Sequence, residues 1–230
     1  MSDIVAPNHI GYILDGNRRW AKKHGLPVYE GHLAGYEALK EVIDATADAG
    51  VKYISMYTWS TENWNRAEEE VMSMMKLVRA IYGGEMKELL KKGYKLVFLG
   101  SRDGVPDDIS KMMDDLESNS SNGTRATLAT CFNYGGQQEI VRAARQIVQK
   151  GMKPEDIDEK IISENLDHPE VPPCDLIVRT SGEQRLSNFM LWRSAYSEFM
   201  FLDKYWPDMR ATDVSAILEE YNKRTRRFGG

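Results

Sequence analysis

Two hydrophobic periods alternate along this chain, one near two residues and one near three and a half. His9-Ile10-Gly11-Tyr12-Ile13-Leu14 is a short, nearly continuous apolar run, the pattern of a strand buried on both faces, and it stops abruptly at Asp15-Gly16-Asn17-Arg18-Arg19-Trp20. Gly31 to Ala49 places Leu33, Tyr36, Leu39, Val42 and Ile43 at helical spacing and ends before Gly50, which predicts a helix with a glycine just past its end. Val51 to Thr58 reads as a second strand. Ala67 to Leu90 is the longest helical pattern; it opens on Glu68, Glu69 and Glu70, where the helix dipole favours anions, and contains the pair Gly83-Gly84. Lys95 to Leu99 reads as a strand, Asp107 to Leu116 as a helix and Ser118 to Gly123 as a polar turn. Arg125 to Asn133 is a fourth strand, followed by helical patterns at Glu139 to Gln149 and Pro154 to Asn165. Asp175 to Arg179 and Phe199 to Leu202 complete the strands, and a helix from Asp213 to Arg224 closes the chain. Strand and helix alternate throughout, which predicts an α/β fold: a single domain over residues 1–230, with a mostly parallel central sheet of about six strands and helices on both faces.

In a sheet of that kind the ligand sits beyond the carboxyl ends of the strands. The first strand ends on Asp15-Gly16-Asn17 and the second on Ser60-Thr61-Glu62-Asn63-Trp64-Asn65-Arg66. The fourth leads into Asn133-Tyr134-Gly135-Gly136, and the fifth ends on Arg179 with Arg185, Ser187 and Asn188 close behind. A carboxylate at a strand end, next to a glycine turn and a helix start, sets a metal-ligand candidate beside free backbone N–H groups, an arrangement suited to a diphosphate with magnesium. Asp15 and Asn17 are equally ordinary helix-capping residues, so these two positions alone leave both uses open. No Walker A loop and no GxGxxG turn occurs, which removes the usual support for nucleotide chemistry.

Composition narrows the field further. With 42% apolar and 28% charged residues the chain is globular, and its net charge of -5 lacks the broad basic face a nucleic acid needs. An anion must therefore be held by local arginines, of which Arg18, Arg19, Arg179 and Arg185 are the candidates. Cys131 and Cys174 have no metal-ligand spacing; Cys131, inside an apolar run, reads as a buried free thiol, and a reducing compartment fits. No signal-peptide pattern opens the chain, and no apolar run approaches the roughly 20 residues of a membrane span, so a soluble, cytoplasmic protein is expected.

Five blocks, in order, carry a resemblance. They are His9-Ile10-Gly11-Tyr12-Ile13-Leu14-Asp15-Gly16-Asn17-Arg18-Arg19-Trp20-Ala21, Gly31-His32-Leu33-Ala34-Gly35, Glu62-Asn63-Trp64-Asn65-Arg66, Asn133-Tyr134-Gly135-Gly136, and Asp175 to Arg185 continuing to Ala195-Tyr196-Ser197-Glu198. Together they resemble the cis-prenyltransferase family, of the undecaprenyl diphosphate synthase type. The resemblance implies Mg²⁺-dependent, sequential addition of isopentenyl diphosphate to an allylic diphosphate primer such as farnesyl diphosphate, with each new double bond formed cis. It also implies a homodimer and a polyprenyl product, of the cell-wall lipid-carrier kind, that partitions to a membrane whose surface the enzyme visits peripherally.

Residue by residue, the resemblance makes Asp15 the magnesium-binding aspartate and Glu198 a second metal-linked carboxylate. Gly16, Asn17, Arg18, Arg19 and Trp20 become the loop around the allylic diphosphate, with Asn17 also helping to remove the proton and His32 assisting departure of the diphosphate. Ser60, Thr61, Glu62, Asn63, Trp64 and Arg66 become a loop that orders over the substrates, Asn63 among the catalytic groups. Arg179, Arg185 and Ser187 form the isopentenyl diphosphate site, and Arg227-Phe228-Gly229 resembles a terminal element that reaches a partner's active site. Two positions depart from the family pattern: Val28 stands where an arginine is frequent, which bears on the primer, and Gln137 stands where Asn-Tyr-Gly-Gly is often followed by arginine.

Neither Asp107-Asp108 nor Asp114-Asp115 continues as the DDxxD of an all-helical trans-prenyltransferase. The Asp-Gly-Asn and Glu-Asn-Trp-Asn-Arg blocks argue against a non-catalytic subunit, and a long apolar helix is more than a simple phosphate-binding module needs. On that helix Val71, Met74, Met75, Val78, Tyr82, Met86 and Leu89 share a stripe about 36 Å long at 1.5 Å per residue. Ile54, Met56 and Thr58 share one face of the preceding strand by alternation. A break at Gly83-Gly84 that bows the helix outward would open a hydrophobic tunnel between sheet and helices. The family tends to carry small residues at the position of Thr58 in long-chain enzymes, so a medium-to-long product is expected, with a short-chain product as the alternative.

Overall fold

A computed structural model of the protein describes residues 5–224. Six strands, β1 (His9–Ile13), β2 (Tyr53–Ser60), β3 (Lys95–Leu99), β4 (Thr127–Tyr134), β5 (Leu176–Arg179) and β6 (Glu198–Phe201), form one sheet in the order β3-β4-β2-β1-β5-β6. Every pairing is parallel, so the sheet is more uniform than the mostly parallel one expected. Alternation sorts the side chains into two layers. Ile10, Tyr12, Leu96, Phe98, Leu128 and Phe132 join one apolar cluster, and Ile13, Val97, Leu99, Ala129 and Cys131 join the other. From β1 the order runs to β2 on one side and β5 on the other. That reversal opens a crevice at their carboxyl ends.

The helices are α1 (Asn17–Lys23), α2 (Val28–Asp48), α3 (Glu68–Ala80), α4 (Met86–Lys91), α5 (Asp107–Ser120), α6 (Gly136–Gln149), α7 (Glu159–Glu164) and α8 (Ala211–Lys223). Helix α2 starts three residues before the expected Gly31, directly after Pro27, whose fixed φ suits a helix entry. The glycines that look like a helix start in the sequence have another use. A Cβ on Gly35 would lie 2.2 Å from Asn17 Oδ1, so a hydrogen there is what lets α1 pack against α2. The long pattern from Ala67 to Leu90 is one continuous path in three parts, with a π-helical turn over Ile81–Glu85 that contains Gly83 and Gly84. The glycines widen a turn where a break was expected.

Helix α5 takes in the first residues of the expected polar turn, because the Ser120 hydroxyl is buried and accepts from the Leu96 N–H at 2.8 Å. Pro154 to Asn165 is a short 3₁₀ turn followed by α7, where Asp158 caps the start by accepting from the Ile161 N–H at 2.8 Å. Strand β2 carries a bulge: Tyr57 pairs with Cys131 and Trp59 with Phe132, which leaves Thr58 as the extra residue.

Candidate functional site

The peptide of Asp15 is clamped at the crevice. Its N–H donates to Ile13 O (2.9 Å) and to Thr180 Oγ1 (3.1 Å), while its carbonyl accepts from Thr180 Oγ1 (2.7 Å) and from the Trp206 N–H (3.0 Å). Gly16 follows at φ +113°, a conformation that suits glycine, with the Tyr205 ring 3.0 Å from where a Cβ would stand. The carboxylate is thereby aimed at two arginines. Arg179 Nη2 donates to Oδ2 at 2.9 Å, and Arg19 Nη2 to Oδ1 at 3.2 Å.

Arg179 is buried at the end of β5, and its second amino group donates to Ser187 Oγ at 2.8 Å and to the Arg185 carbonyl. Glu183 bridges Arg19 (2.8 Å) and Arg185. Asn188 secures the neighbouring loops by accepting from the Gln137 N–H (2.9 Å) and donating to Glu62 and Gln138 (3.0 Å each).

On the other side of Asp15 lies a polar pocket of about 250 Å³, walled by Leu14, Asp15, Gly16, Asn17, Arg18, Arg19, His32 and Arg66. Two of its polar atoms, Asn17 Oδ1 and His32 Nε2, are buried without a hydrogen-bond partner among the described residues. Burial, aided by the nearby Arg66 and Arg18 and opposed by Glu70, lowers the His32 pKa to about 4. The ring is a neutral imidazole at neutral pH, able to donate one N–H. Glu70 ties Arg18 (3.3 Å) to Arg66 (3.0 Å), and the Arg66 guanidinium lies over the Trp59 ring.

The pocket adjoins a cavity of about 700 Å³. Asp15, Asn17, Arg179, Arg185 and Ser187 stand at its polar end; its apolar walls are Tyr36, Leu39 and Ile43 of α2, Met74, Leu77 and Val78 of α3, Ile81 and Tyr82 of the π turn, and Met86 and Leu89 of α4. The sheet contributes Met56, Thr58, Thr130 and Phe132. Of the expected stripe, Met75 is buried in the core outside the cavity walls, and Val71 packs against that core. Thr58 Oγ1 donates to the Cys131 carbonyl at 3.0 Å, which anchors the bulge beside the cavity.

Ser60, Glu62, Asn63 and Arg66 also face the cavity, and Asn63 Oδ1 caps its own turn by accepting from the Ser60 N–H at 3.1 Å. Thr61 and Trp64 do not. Trp64 Nε1 donates to Asn133 Oδ1 at 2.7 Å and braces the loop against β4, while the Thr61 hydroxyl is buried without a hydrogen-bond partner among the described residues. Trp20 is also set apart from the pocket: its Nε1 donates to Asp208 Oδ1 at 2.7 Å and its ring lies against His24. Glu198, the expected second metal-linked carboxylate, opens β6 opposite Leu176, at the amino edge of the sheet, and pairs with Arg224 at 3.0 Å. Within one chain it therefore lies at the sheet edge opposite Asp15.

Among the described residues no group of three His, Cys, Asp or Glu side chains gathers around one point. Thr180, Glu183 and Glu70 are site residues to which the sequence assigned no role; the first two lie within the polar block after β5, which was their one signal. The Arg227-Phe228-Gly229 element lies outside the described residues.

Residues 13–229 match the prenyltransferase family model described as "Putative undecaprenyl diphosphate synthase". The chain belongs to this family. Isoprenyl transferase of Brucella suis biovar 1 (strain 1330) is 43% identical over 234 residues, an alignment covering all of this chain and 91% of that protein. Isoprenyl transferase of Thermotoga maritima is also 43% identical, over 97% of each chain. Among solved structures, lavandulyl diphosphate synthase from Lavandula x intermedia, in complex with dimethylallyl diphosphate, superposes with a TM-score of 0.92 at 33% identity, covering 98% of this chain and 99% of that one. A structure described as a probable undecaprenyl diphosphate synthase from Campylobacter jejuni shares the fold, with a TM-score of 0.84 at 24% identity over 97% and 99% of the two chains. This prenyltransferase therefore transfers prenyl groups, on the parallel α/β fold of its family.

Proposed function

We propose that the enzyme condenses isopentenyl diphosphate, repeatedly and with Mg²⁺, onto an allylic diphosphate primer such as farnesyl diphosphate, giving a medium-to-long cis-polyprenyl diphosphate. The observation that carries this reading is one continuous arrangement: two arginine-rich anion sites on either side of Asp15, both opening into an apolar cavity of about 700 Å³. Arg18, Arg66, His32 and Asn17 are assigned to the allylic diphosphate, and Arg179, Arg185 and Ser187 to isopentenyl diphosphate, since a guanidinium fork matches phosphate oxygens in pairs.

In the step itself the allylic C1–O bond breaks, C4 of the isopentenyl unit bonds to C1, and a proton leaves C2 of the added unit. Charge builds on the departing diphosphate, so preorganised donors there lower the barrier. The unpartnered His32 Nε2 is assigned that role as a neutral donor, and Asn17 Oδ1 is assigned as an acceptor on the proton's way out. Apolar walls keep water from the electron-poor allyl carbon. Asp15 fits Mg²⁺, a hard cation commonly held through one or two carboxylates together with substrate phosphates; when bound it would neutralise charge on the leaving group.

The product would carry its growing chain along Met74, Val78, Tyr82 and Met86, where methionines adapt to variable shapes. A homodimer is part of the same reading, as is release of the apolar product to a membrane surface. No helix among the described residues is long and apolar enough to cross a membrane. Purified protein incubated with farnesyl diphosphate, labelled isopentenyl diphosphate and Mg²⁺ is expected to yield butanol-extractable label; no extractable product would overturn the reading, and chromatography of the product measures its length.

A further inference from the structure

Each guanidinium around Asp15 already has a carboxylate, but the carboxylate on Arg18 and Arg66 differs from the others in position. Glu70 comes from the first turn of α3 and is not part of the polar pocket's wall, yet it holds two of the three arginines that are, Arg18 and Arg66. One oxygen meets Arg18 Nη1 at 3.3 Å and the other meets Arg66 Nη1 at 3.0 Å. Arg18 belongs to α1 and Arg66 to the loop after β2, so this single carboxylate links three segments around the pocket. Its side chain is 18% exposed against 58% for Arg18, so the acid is the better-held partner and the long arginine the freer one. Beside them His32 Nε2 is buried with no hydrogen-bond partner among the described residues, which marks the interior as a place where an acceptor is wanted.

We propose that Glu70 is a positioning residue that acts as a displaceable counter-ion. It holds Arg18 and Arg66 near the pocket by offering one carboxylate oxygen to each, and an entering diphosphate competes with it for both. The argument is one of charge and geometry. Two guanidinium forks share one acid, so the cluster keeps a net positive charge, and a diphosphate offers several oxygens where Glu70 offers two. The contact is partly exposed, where ion pairs are weak enough to exchange. Because Glu70 sits on α3, which also walls the apolar cavity, its release would tell the cavity wall that the polar pocket is filled. The inference rests on the reading of that pocket as a diphosphate site.

The test uses inorganic pyrophosphate as the probe, with calorimetry on the wild type, Glu70→Gln, Glu70→Ala, Arg18→Ala, Arg66→Ala and the double variant Glu70→Gln/Arg18→Ala, each first shown to melt like the wild type. A counter-ion competes with the ligand, so both Glu70 variants are expected to bind pyrophosphate about fivefold more tightly, or about 1 kcal/mol. Arg18→Ala is expected to weaken binding, and by a larger factor in the Glu70→Gln background than in the wild type. Unchanged or weaker binding in both Glu70 variants, with Arg18→Ala still harmful, would overturn the proposal and leave Glu70 a simple prop. If Arg18→Ala and Arg66→Ala both leave pyrophosphate binding untouched, the pocket is not the diphosphate site, and the failure belongs to that reading.

Discussion

Two buried arginines, Arg179 and Arg193, are equally hidden, and each is paired with one carboxylate, but they are built for different ends. Arg193 meets Glu139 at 3.0 Å; the acid is fully enclosed and also accepts from the Tyr134 hydroxyl at 2.5 Å. Arg193 also donates to the carbonyls of Val171, at 2.6 Å, and Asp167. Burial pushes the Glu139 carboxyl upward, against the pull of Arg193 and the Tyr134 hydroxyl. Arg179 meets Asp15 at 2.9 Å, but that acid is 28% exposed and faces the crevice. Side-chain burial alone thus fails to separate a lock from a site. The exposure of the partner does.

Breaking the lock is expected to give the largest loss of stability. Arg193→Ala strands an enclosed acid, and removing one member of a buried pair costs about 3–5 kcal/mol, so a marked fall in melting temperature, measured by scanning calorimetry, is predicted. A shift no larger than that of a surface substitution would remove the distinction between the two arginines.

Asp15→Asn is expected to do the reverse. It keeps shape and an acceptor toward Arg179, so melting should change little, while kcat/KM falls by roughly 10³ or more, about 4 kcal/mol in the barrier. Asp15→Ala adds a stability cost, because Arg179 is then buried without its acid. Steady-state assays at saturating Mg²⁺ decide it, and an Asp15→Asn enzyme within tenfold of wild type would sink the proposed metal role.

A smaller change is expected from Thr58→Trp. The indole would fill part of the cavity next to Met56 and Phe132, so chromatography should show shorter products with little effect on the first condensation. Identical length distributions would mean that the growing chain does not pass this strand.

The smallest effect concerns the loop that the lock secures. His168 lies between Glu117 (3.0 Å) and Glu170 (3.2 Å), and its pKa is raised from the ordinary 6.5, chiefly by the hydrogen bond to Glu117 and against the cost of burial. A raised folded pKa means the stabilisation is fully present below about 6.5 and is lost as pH rises through the folded value. His168→Gln should therefore lower stability by no more than roughly 1 kcal/mol at pH 6 and less at pH 9, a difference that denaturant titration at the two pH values can read.

The order of strands and helices was legible because each strand is a short apolar run bounded by turn residues, and each helix repeats its apolar face. What could not be read is where tertiary contact overrides local pattern. Gly31 looks like a helix start, but α2 begins at Val28 because α1 packs against those glycines, and Ser120 stays helical because β3 uses its hydroxyl. At the site, Asp15 and Arg179 were legible as charged residues closing apolar strands. Their mutual contact was not, since it depends on β1 and β5 being neighbours despite more than 160 residues between them. Trp20 and Glu198 show the converse: each lies in a matching block, yet within this chain one packs on Asp208 and the other faces the far edge of the sheet.

The π turn at Ile81–Glu85 acts as a phase corrector for the wall it belongs to. Met74, Val78, Tyr82 and Met86 are spaced by four residues, and in a regular α-helix each such step drifts about 40°, so the last would point roughly 120° away from the first. Underwinding one turn absorbs much of that drift, and all four side chains reach the same cavity. Regular α-helical winding over Gly83-Gly84 at unchanged length would rotate α4 as a unit, turn Met86 and Leu89 away, and bring its charged residues toward the far end of an apolar channel, whereas deleting one of the two glycines would remove the extra residue together with the wide turn and leave Met86 within about 20° of the Met74 face.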